Sequence, residues 1–166
     1  TVNSAINIAK QLSPTKIGPV ETKITMPTLD WEIQGFKVNE GPAVIVRNGK
    51  VFVSYSASAT DHRYAMGLLW ADENADLLDP KSWHKSPKPV FWTNEKLNRY
   101  GPGHNSFIVA EDGKTDVLVY HARDYMGLHG DPLSDPNRHT YLRTLKWTKD
   151  GMPDFGQDKP NDIYIK

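Results

Sequence analysis

The chain has 166 residues, no cysteine, and 20 basic against 20 acidic side chains, so its formal net charge is zero. That length is sufficient for one domain with a substantial core. Because the charge is balanced and no long like-charged run occurs, we expect no nucleic-acid or membrane partner. The absence of cysteine excludes disulfides and Cys-ligated zinc. The five Trp and seven Tyr side chains are suited to stacking on sugar rings and equally to packing in a core.

The N-terminal segment is predicted to be a strand within a larger sheet. Residues 3–9 alternate polar and apolar side chains, and Pro14 ends the pattern. The segment resembles residues 64–70, the third strand of a later unit, so the chain is predicted to begin inside a blade with that strand unpaired. Since proteins seldom expose such an edge, we expect further strands from a missing N-terminal portion or a second chain. Residues 18–34 are predicted to be a loop or outer strand.

Residues 39–55 are predicted to form a β-hairpin. Two runs rich in β-branched and aromatic residues flank Asn48-Gly49, a dipeptide suited to a tight turn with positive φ. Glu40 stands at its start. A carboxyl group half removed from water there would favour its protonated form, as a general acid requires, although a solvated turn acid is the alternative.

The hairpin pattern recurs 64 residues later, where residues 104–114 can be laid over residues 40–50 so that the turn dipeptides coincide. Repeated antiparallel units predict an all-β fold of the β-propeller type. The first strand of each propeller blade lines the channel. Glu40 and His104 are therefore predicted to occupy equivalent places in neighbouring blades.

The remaining segments complete this prediction. Residues 64–70 and 140–147 are predicted third strands, residues 90–92 a short fourth strand, and residues 162–165 a terminal strand. The connection at residues 123–138 contains two glycines and two prolines and is predicted to be a loop over one face. Loops of this length in compact domains are often functional.

Three side chains besides Glu40 are candidates for a site. His104 could hydrogen-bond a substrate or border a cation, directly or through water, although a structural histidine is the commoner case. Arg123 and Arg138 flank the long loop, and guanidinium groups suit hydroxyls and carboxylates, although loop arginines are usually only solvated. No nucleophile motif, phosphate-binding loop or dinucleotide fingerprint occurs, so no organic cofactor is expected.

Several segments carry a family resemblance in order along the chain: residues 40–42, 55–59, 64–69, 101–105, 120–123, 145–147 and 150–153. With these the chain resembles family 43 of the glycoside hydrolases, and its α-L-arabinofuranosidase members in particular. The resemblance implies part of a five-bladed β-propeller, with residues 1–166 supplying about three blades of a catalytic domain. It also implies hydrolysis with inversion, using a general-base aspartate, a second aspartate and a general-acid glutamate.

The resemblance also implies roles for single residues. Glu40, in Glu-Gly-Pro, matches the general acid. His104 matches a channel histidine near a central calcium or similar ion. Arg138 resembles the arginine that contacts the substrate, with Arg123 or Arg143 as alternatives, and Ser56 is a further substrate-binding candidate. The two aspartates are expected in blades that precede this sequence.

The expected substrate is an arabinose- or xylose-containing saccharide of plant origin. Within the family, a β-xylosidase or an endo-arabinanase is the alternative, because specificity depends on loops that the sequence does not place. From another class, the alternative is a non-catalytic carbohydrate-binding propeller. A paired aspartate base across the channel from Glu40 would decide against that last possibility.

Overall fold

The computed structural model describes residues 3–160, in which β-strands form four antiparallel sheets joined by loops and short 3₁₀ helices. This all-β architecture agrees with the prediction. No helix within the described range is both long and apolar enough to span a membrane.

The first sheet is a hairpin of two strands, β1 (Ile6–Ser13) and β2 (Lys16–Thr25). Pro14 lies in the turn between them, where its missing N–H costs no ladder hydrogen bond. The prediction that the first strand has no partner is wrong, because the expected outer-strand segment folds back and pairs with it, Ile8 opposite Thr22. A 3₁₀ helix, Asp30–Glu32, follows.

The second sheet has four strands in chain order: β3 (Asn39–Arg47), β4 (Lys50–Ala57), β5 (Ala65–Asp72) and β6 (His84–Lys85). The predicted hairpin is confirmed. Its turn residues Asn48 and Gly49 have φ of 54° and 74°, the left-handed geometry that a two-residue hairpin turn requires.

The fourth strand of this sheet is not where the sequence predicted it. The segment at residues 90–92 contributes only an isolated bridge from Phe91 to Met66, whereas β6 pairs with β5. Pro87 and Pro89 lack backbone N–H groups, so the chain after β6 cannot continue a regular ladder. A 3₁₀ helix, Pro80–Ser82, leads into β6.

The third sheet contains β7 (Tyr100–Val109), β8 (Asp116–Arg123) and β9 (His139–Thr144). Two 3₁₀ helices, Glu95–Leu97 and Pro132–Ser134, lie in the loops before β7 and before β9. This hairpin repeats the β3–β4 unit with a longer turn, in which the Asp112 carboxylate accepts two backbone N–H groups.

The predicted third strand at residues 140–147 is divided in two. After β9 the chain turns inward at Leu145, whose N–H donates to the Asp116 carbonyl at 2.8 Å. β10 (Lys146–Trp147) then pairs with β11 (Pro153–Asp154) in a separate two-stranded sheet. The predicted strand at residues 162–165 lies outside the described residues.

The second and third sheets pack against each other through one apolar core. Its buried members are Ile45, Phe52, Met66, Leu68, Phe91, Leu118, Tyr120, Ala122, Leu145 and Phe155. Polar contacts also cross the junction: Arg47 donates to the Asp116 carboxylate at 2.7 Å, and Ser54 donates to Asn105 Oδ1 at 2.8 Å. These contacts join β3 to β8 and β4 to β7, so each hairpin is fixed against the other.

Candidate active site

Glu40 is the second residue of β3 and lies opposite Ser56 on β4. The pairing is interrupted between Glu40 and Ala43 by a bulge, where Gly41 has a φ of 56°. Bulges re-aim side chains next to active sites. The half-buried Glu40 carboxyl group accepts a hydrogen bond from the hydroxyl group of Tyr64, with Oε1 2.7 Å from the phenol oxygen.

His104 and Glu40 are brought together as the repeat predicted. The Gly41 backbone lies against the His104 imidazole, and a Cβ at Gly41 would be 3.0 Å from the ring. Only a glycine allows this approach in a backbone conformation that side chains rarely adopt. The His104 side chain is exposed, and its own backbone has a φ of 47°.

Ser56 lies behind these two residues and not at the surface. Its side chain is fully buried, and its Oγ accepts the His104 backbone N–H at 2.8 Å. The same hydroxyl group hydrogen-bonds the Tyr64 phenol oxygen. The prediction that Ser56 contacts the substrate directly is therefore not supported by its position. The Ser56 side chain is linked to the Glu40 carboxyl group through its hydrogen bond to Tyr64.

Two of the three candidate arginines belong to the protein interior. The Arg123 guanidinium is buried and donates to the Thr60 and Pro132 carbonyls at 2.6 and 2.7 Å, so it ties the long loop to the preceding sheet. Arg143 is equally buried and lies over the Phe91 ring. Neither guanidinium is placed to receive a substrate, which corrects the prediction for Arg123.

Arg138 is the arginine that faces the site. It is half-exposed and close enough to Tyr64 and His121 for its charge to act on both. Burial, reinforced by the positive charges of Arg138 and His104, lowers the pKa of His121 to about 4. His121 is therefore a neutral imidazole near neutral pH.

Tyr64 and His121 are site residues that the sequence did not single out, since they occur there only inside longer motifs. Their rings are stacked, with centroids 5.7 Å apart and planes 9° from parallel. Burial and the hydrogen bond to Glu40 raise the pKa of Tyr64 far above its ordinary value, so it stays a hydrogen-bond donor. The signal that could have found Tyr64 is the glycine-rich approach to His104, because the space left by Gly103 is filled by the Tyr64 ring.

A cavity of about 190 Å³ opens beside Glu40, lined by Phe36, Val38, Glu40, Ser58, Thr60 and Leu133. Glu40 supplies the only carboxylate among these lining residues, whereas the aromatic and aliphatic side chains form apolar walls. Sites of this kind, apolar with a few placed polar groups, are typical of small-molecule binding. The arrangement can deliver one proton to a ligand held in the cavity.

The described part of the chain contains no cluster of side chains suited to binding a metal ion. No group of three or more His, Asp or Glu side chains within residues 3–160 could hold one. The predicted cation near His104, bound directly or through water, stays a prediction.

The chain is similar in sequence to curated proteins of known name. The chain is 56% identical over 154 residues to an extracellular exo-α-(1→5)-L-arabinofuranosidase from Streptomyces avermitilis, a match that covers 93% of this chain and 32% of that protein. It is 54% identical to alpha-L-arabinofuranosidase 43 from Humicola insolens, covering 99% of this chain and 35% of the relative. The chain thus spans about a third of the length of these relatives.

The fold is shared with solved structures as well. The crystal structure of an α-L-arabinofuranosidase from Lactobacillus brevis matches with a TM-score of 0.91 and 53% identity, covering 96% of this chain and 49% of that one. The fold is accordingly a portion of a five-bladed β-propeller. Residues 2–153 match the family described as Glycosyl hydrolases family 43, and the chain belongs to that family.

Proposed function

We propose that the complete protein carrying this chain is a glycoside hydrolase that removes α-L-arabinofuranosyl residues from arabinose-containing polysaccharides or oligosaccharides, with inversion. Glu40 is its general acid. The observation that carries the proposal is the Glu40 carboxyl group, half-buried at the start of an inner strand, oriented by Tyr64 and facing a cavity. The similarity to proteins named as arabinofuranosidases supports the choice of sugar.

The reaction requires a general acid, which the cavity contains, and a general base, which its described lining does not supply. An inverting glycosidase uses an acid to protonate the leaving oxygen and a base, roughly 6.5–9.5 Å away across the sugar, to activate water. Glu40 is the single carboxylate lining the cavity in the described residues. The base is therefore assigned to a part of the complete protein beyond residues 3–160.

The sugar would be held by the polar groups around Glu40. Arg138 supplies fixed N–H donors for hydroxyl groups, and His104 presents an exposed imidazole on the neighbouring inner strand. Phe36 and Leu133 offer apolar surface to the sugar ring from opposite loops. A hydrated cation beside His104 would keep that imidazole oriented.

Substitution of Glu40→Gln in the complete protein tests the proposal, because it removes the acidic proton while preserving shape. Cleavage of natural arabinosides should fall by roughly 10²–10⁴-fold. A nitrophenyl α-L-arabinofuranoside, whose leaving group needs little protonation, should lose much less. Glu111→Gln, at an exposed turn position, is the matched control and should retain full activity on both substrates.

Two results would contradict the proposal. Equal losses on both substrates would show that Glu40 does something other than donate a proton, and unchanged turnover would show that it takes no part in catalysis. A matching set of nitrophenyl β-xylosides tests the sugar. Faster cleavage of the xyloside than of the arabinofuranoside would exclude the arabinofuranosidase assignment.

A further inference from the structure

A continuous set of hydrogen bonds ends on the Glu40 carboxyl group. It begins at the His104 backbone N–H, which donates to Ser56 Oγ at 2.8 Å. Ser56 in turn hydrogen-bonds the phenol oxygen of Tyr64. The Tyr64 hydroxyl group then donates to Glu40 Oε1 at 2.7 Å. The relay crosses from the third sheet to the second, so it links the acid to the neighbouring blade.

The middle member of the relay has little freedom to move. Tyr64 is 1% exposed, and one face of its ring is stacked on His121. Against another side lies Gly103, where an added Cβ would be 2.3 Å from the Tyr64 ring and 2.9 Å from Ser56 Oγ. Both the ring and the hydroxyl group are thus held by packing, which is the condition for a precisely oriented hydrogen bond.

We propose that Tyr64 is the positioning residue of Glu40, holding one carboxyl oxygen through the relay from His104 and Ser56 so that the other oxygen carries the transferred proton. The inference rests on the proposed function of Glu40. Because Oε1 already accepts the Tyr64 hydrogen bond, the transferred proton is assigned to Oε2. The same hydrogen bond stabilises the carboxylate that forms when the proton leaves, so it strengthens as proton transfer proceeds.

The test is Tyr64→Phe in the complete protein, which keeps the ring stacked on His121 and removes only the hydroxyl group. Turnover (kcat) of natural arabinosides should fall about 10–100-fold, the effect of losing one hydrogen bond to a charged group, with KM unchanged. The loss on a nitrophenyl arabinofuranoside should be smaller, as for Glu40→Gln. A residue that only supported the fold would lower activity on both substrates alike.

The pH–rate profile supplies a second readout. Activity needs protonated Glu40 and is lost as pH rises, and an O–H donor favours the ionised carboxylate. Removing the donor should therefore move the alkaline limb to higher pH. The other charged or titratable groups near this pair, His104, His121 and Arg138, are unchanged in the variant, so they do not account for such a shift.

Tyr141→Phe is the matched control, because it removes the hydroxyl group of a partly buried tyrosine on β9 and should leave kcat and the pH profile unchanged. Ser56→Ala breaks the relay one step earlier and should shift the alkaline limb in the same direction by less. If Tyr64→Phe does not fold, judged by thermal unfolding, Ser56→Ala decides the question.

The outcomes separate the two proposals. An inactive Glu40→Gln together with a Tyr64→Phe variant of normal kcat and pH profile would overturn the positioning role and leave the proposed function intact. Where Tyr64→Phe is unfolded, an unshifted alkaline limb in Ser56→Ala would overturn the positioning role in the same way. Full activity of Glu40→Gln would overturn the proposed function itself.

Discussion

A side chain at Gly103 would clash with the ring of Tyr64. A Cβ there would be 2.3 Å from Cε1 of Tyr64, far inside the distance that carbon atoms tolerate. Gly103 lies on β7, directly before His104. The absence of a side chain there therefore lets β7 pack closely against the Tyr64 ring and leaves room for that ring. The role of Gly103 is steric. A larger side chain there should displace Tyr64 and so weaken its hydrogen bond to Glu40, although Gly103 itself does not contact Glu40.

We predict that Gly103→Ala destabilises the complete protein by about 1–3 kcal/mol, the usual cost of overpacking, and lowers kcat because Tyr64 is displaced. Equilibrium unfolding in urea measures the first effect and arabinoside hydrolysis the second. Gly127→Ala is the matched control, since a Cβ at that position meets nothing within 4 Å. Equal stability of the two variants would contradict the prediction.

At the scale of elements, the buried carboxylate of Glu32 ties a 3₁₀ helix to three strands. It accepts hydrogen bonds from Asn39 on β3, Tyr55 on β4 and Lys85 on β6, at 3.1, 2.7 and 2.9 Å. Asn39 directly precedes Glu40, so the network fixes the start of the strand that carries the acid. Burial opposes ionisation of Glu32, but the hydrogen bonds from Lys85, the backbone and Tyr55 outweigh it and hold the pKa below its ordinary value of 4.5.

We predict that Glu32→Gln lowers the free energy of unfolding near neutral pH by up to about 3 kcal/mol, the lower end for a broken buried ion pair, because Lys85 stays partly exposed. A lowered carboxyl pKa contributes stability above pH 4.5 that is lost as pH falls through the folded-state pKa. The difference between wild type and variant should therefore shrink on acidification.

Thermal unfolding at pH 7 and at successively lower pH values measures this difference. Glu111→Gln, which removes an exposed carboxylate, should show little change at any of these pH values. A wild-type advantage over Glu32→Gln that is the same at every pH would rule out an ionised Glu32 as its source.

For the whole molecule, the inner strands carry apolar side chains that the described residues leave uncovered. Val44 and Val46 on β3 and Ile108 and Val109 on β7 are each about half exposed. Exposed apolar patches of this kind mark interaction surfaces. Since the chain spans about a third of its curated relatives, we propose that the other blades of the propeller cover these strands.

We predict that the 166-residue chain expressed alone associates through these strands and its open sheet edges, whereas the complete protein does not. Size-exclusion chromatography with light scattering measures this directly. A stable monomer of 18.7 kDa that unfolds cooperatively would contradict the prediction.

The sequence by itself determined the features that depend on short-range chemistry. Asn48-Gly49 specifies its turn because both residues need positive φ, and the alternation around it specifies the paired strands. The recurrence of that pattern was enough to place Glu40 beside His104 and to predict an all-β propeller, since equivalent units put equivalent residues at the same end of each blade.

The tertiary structure alone decided which polar residues serve the site. Arg123 and Arg138 are indistinguishable as loop arginines, yet Arg123 is buried because its donors meet the Thr60 carbonyl, 63 residues away. Tyr64, directly before β5, stacks on His121 of β8 and donates to Glu40, two contacts that the sequence does not reveal. Such pairings depend on how sheets pack across long sequence separations, and local periodicity carries no information about them.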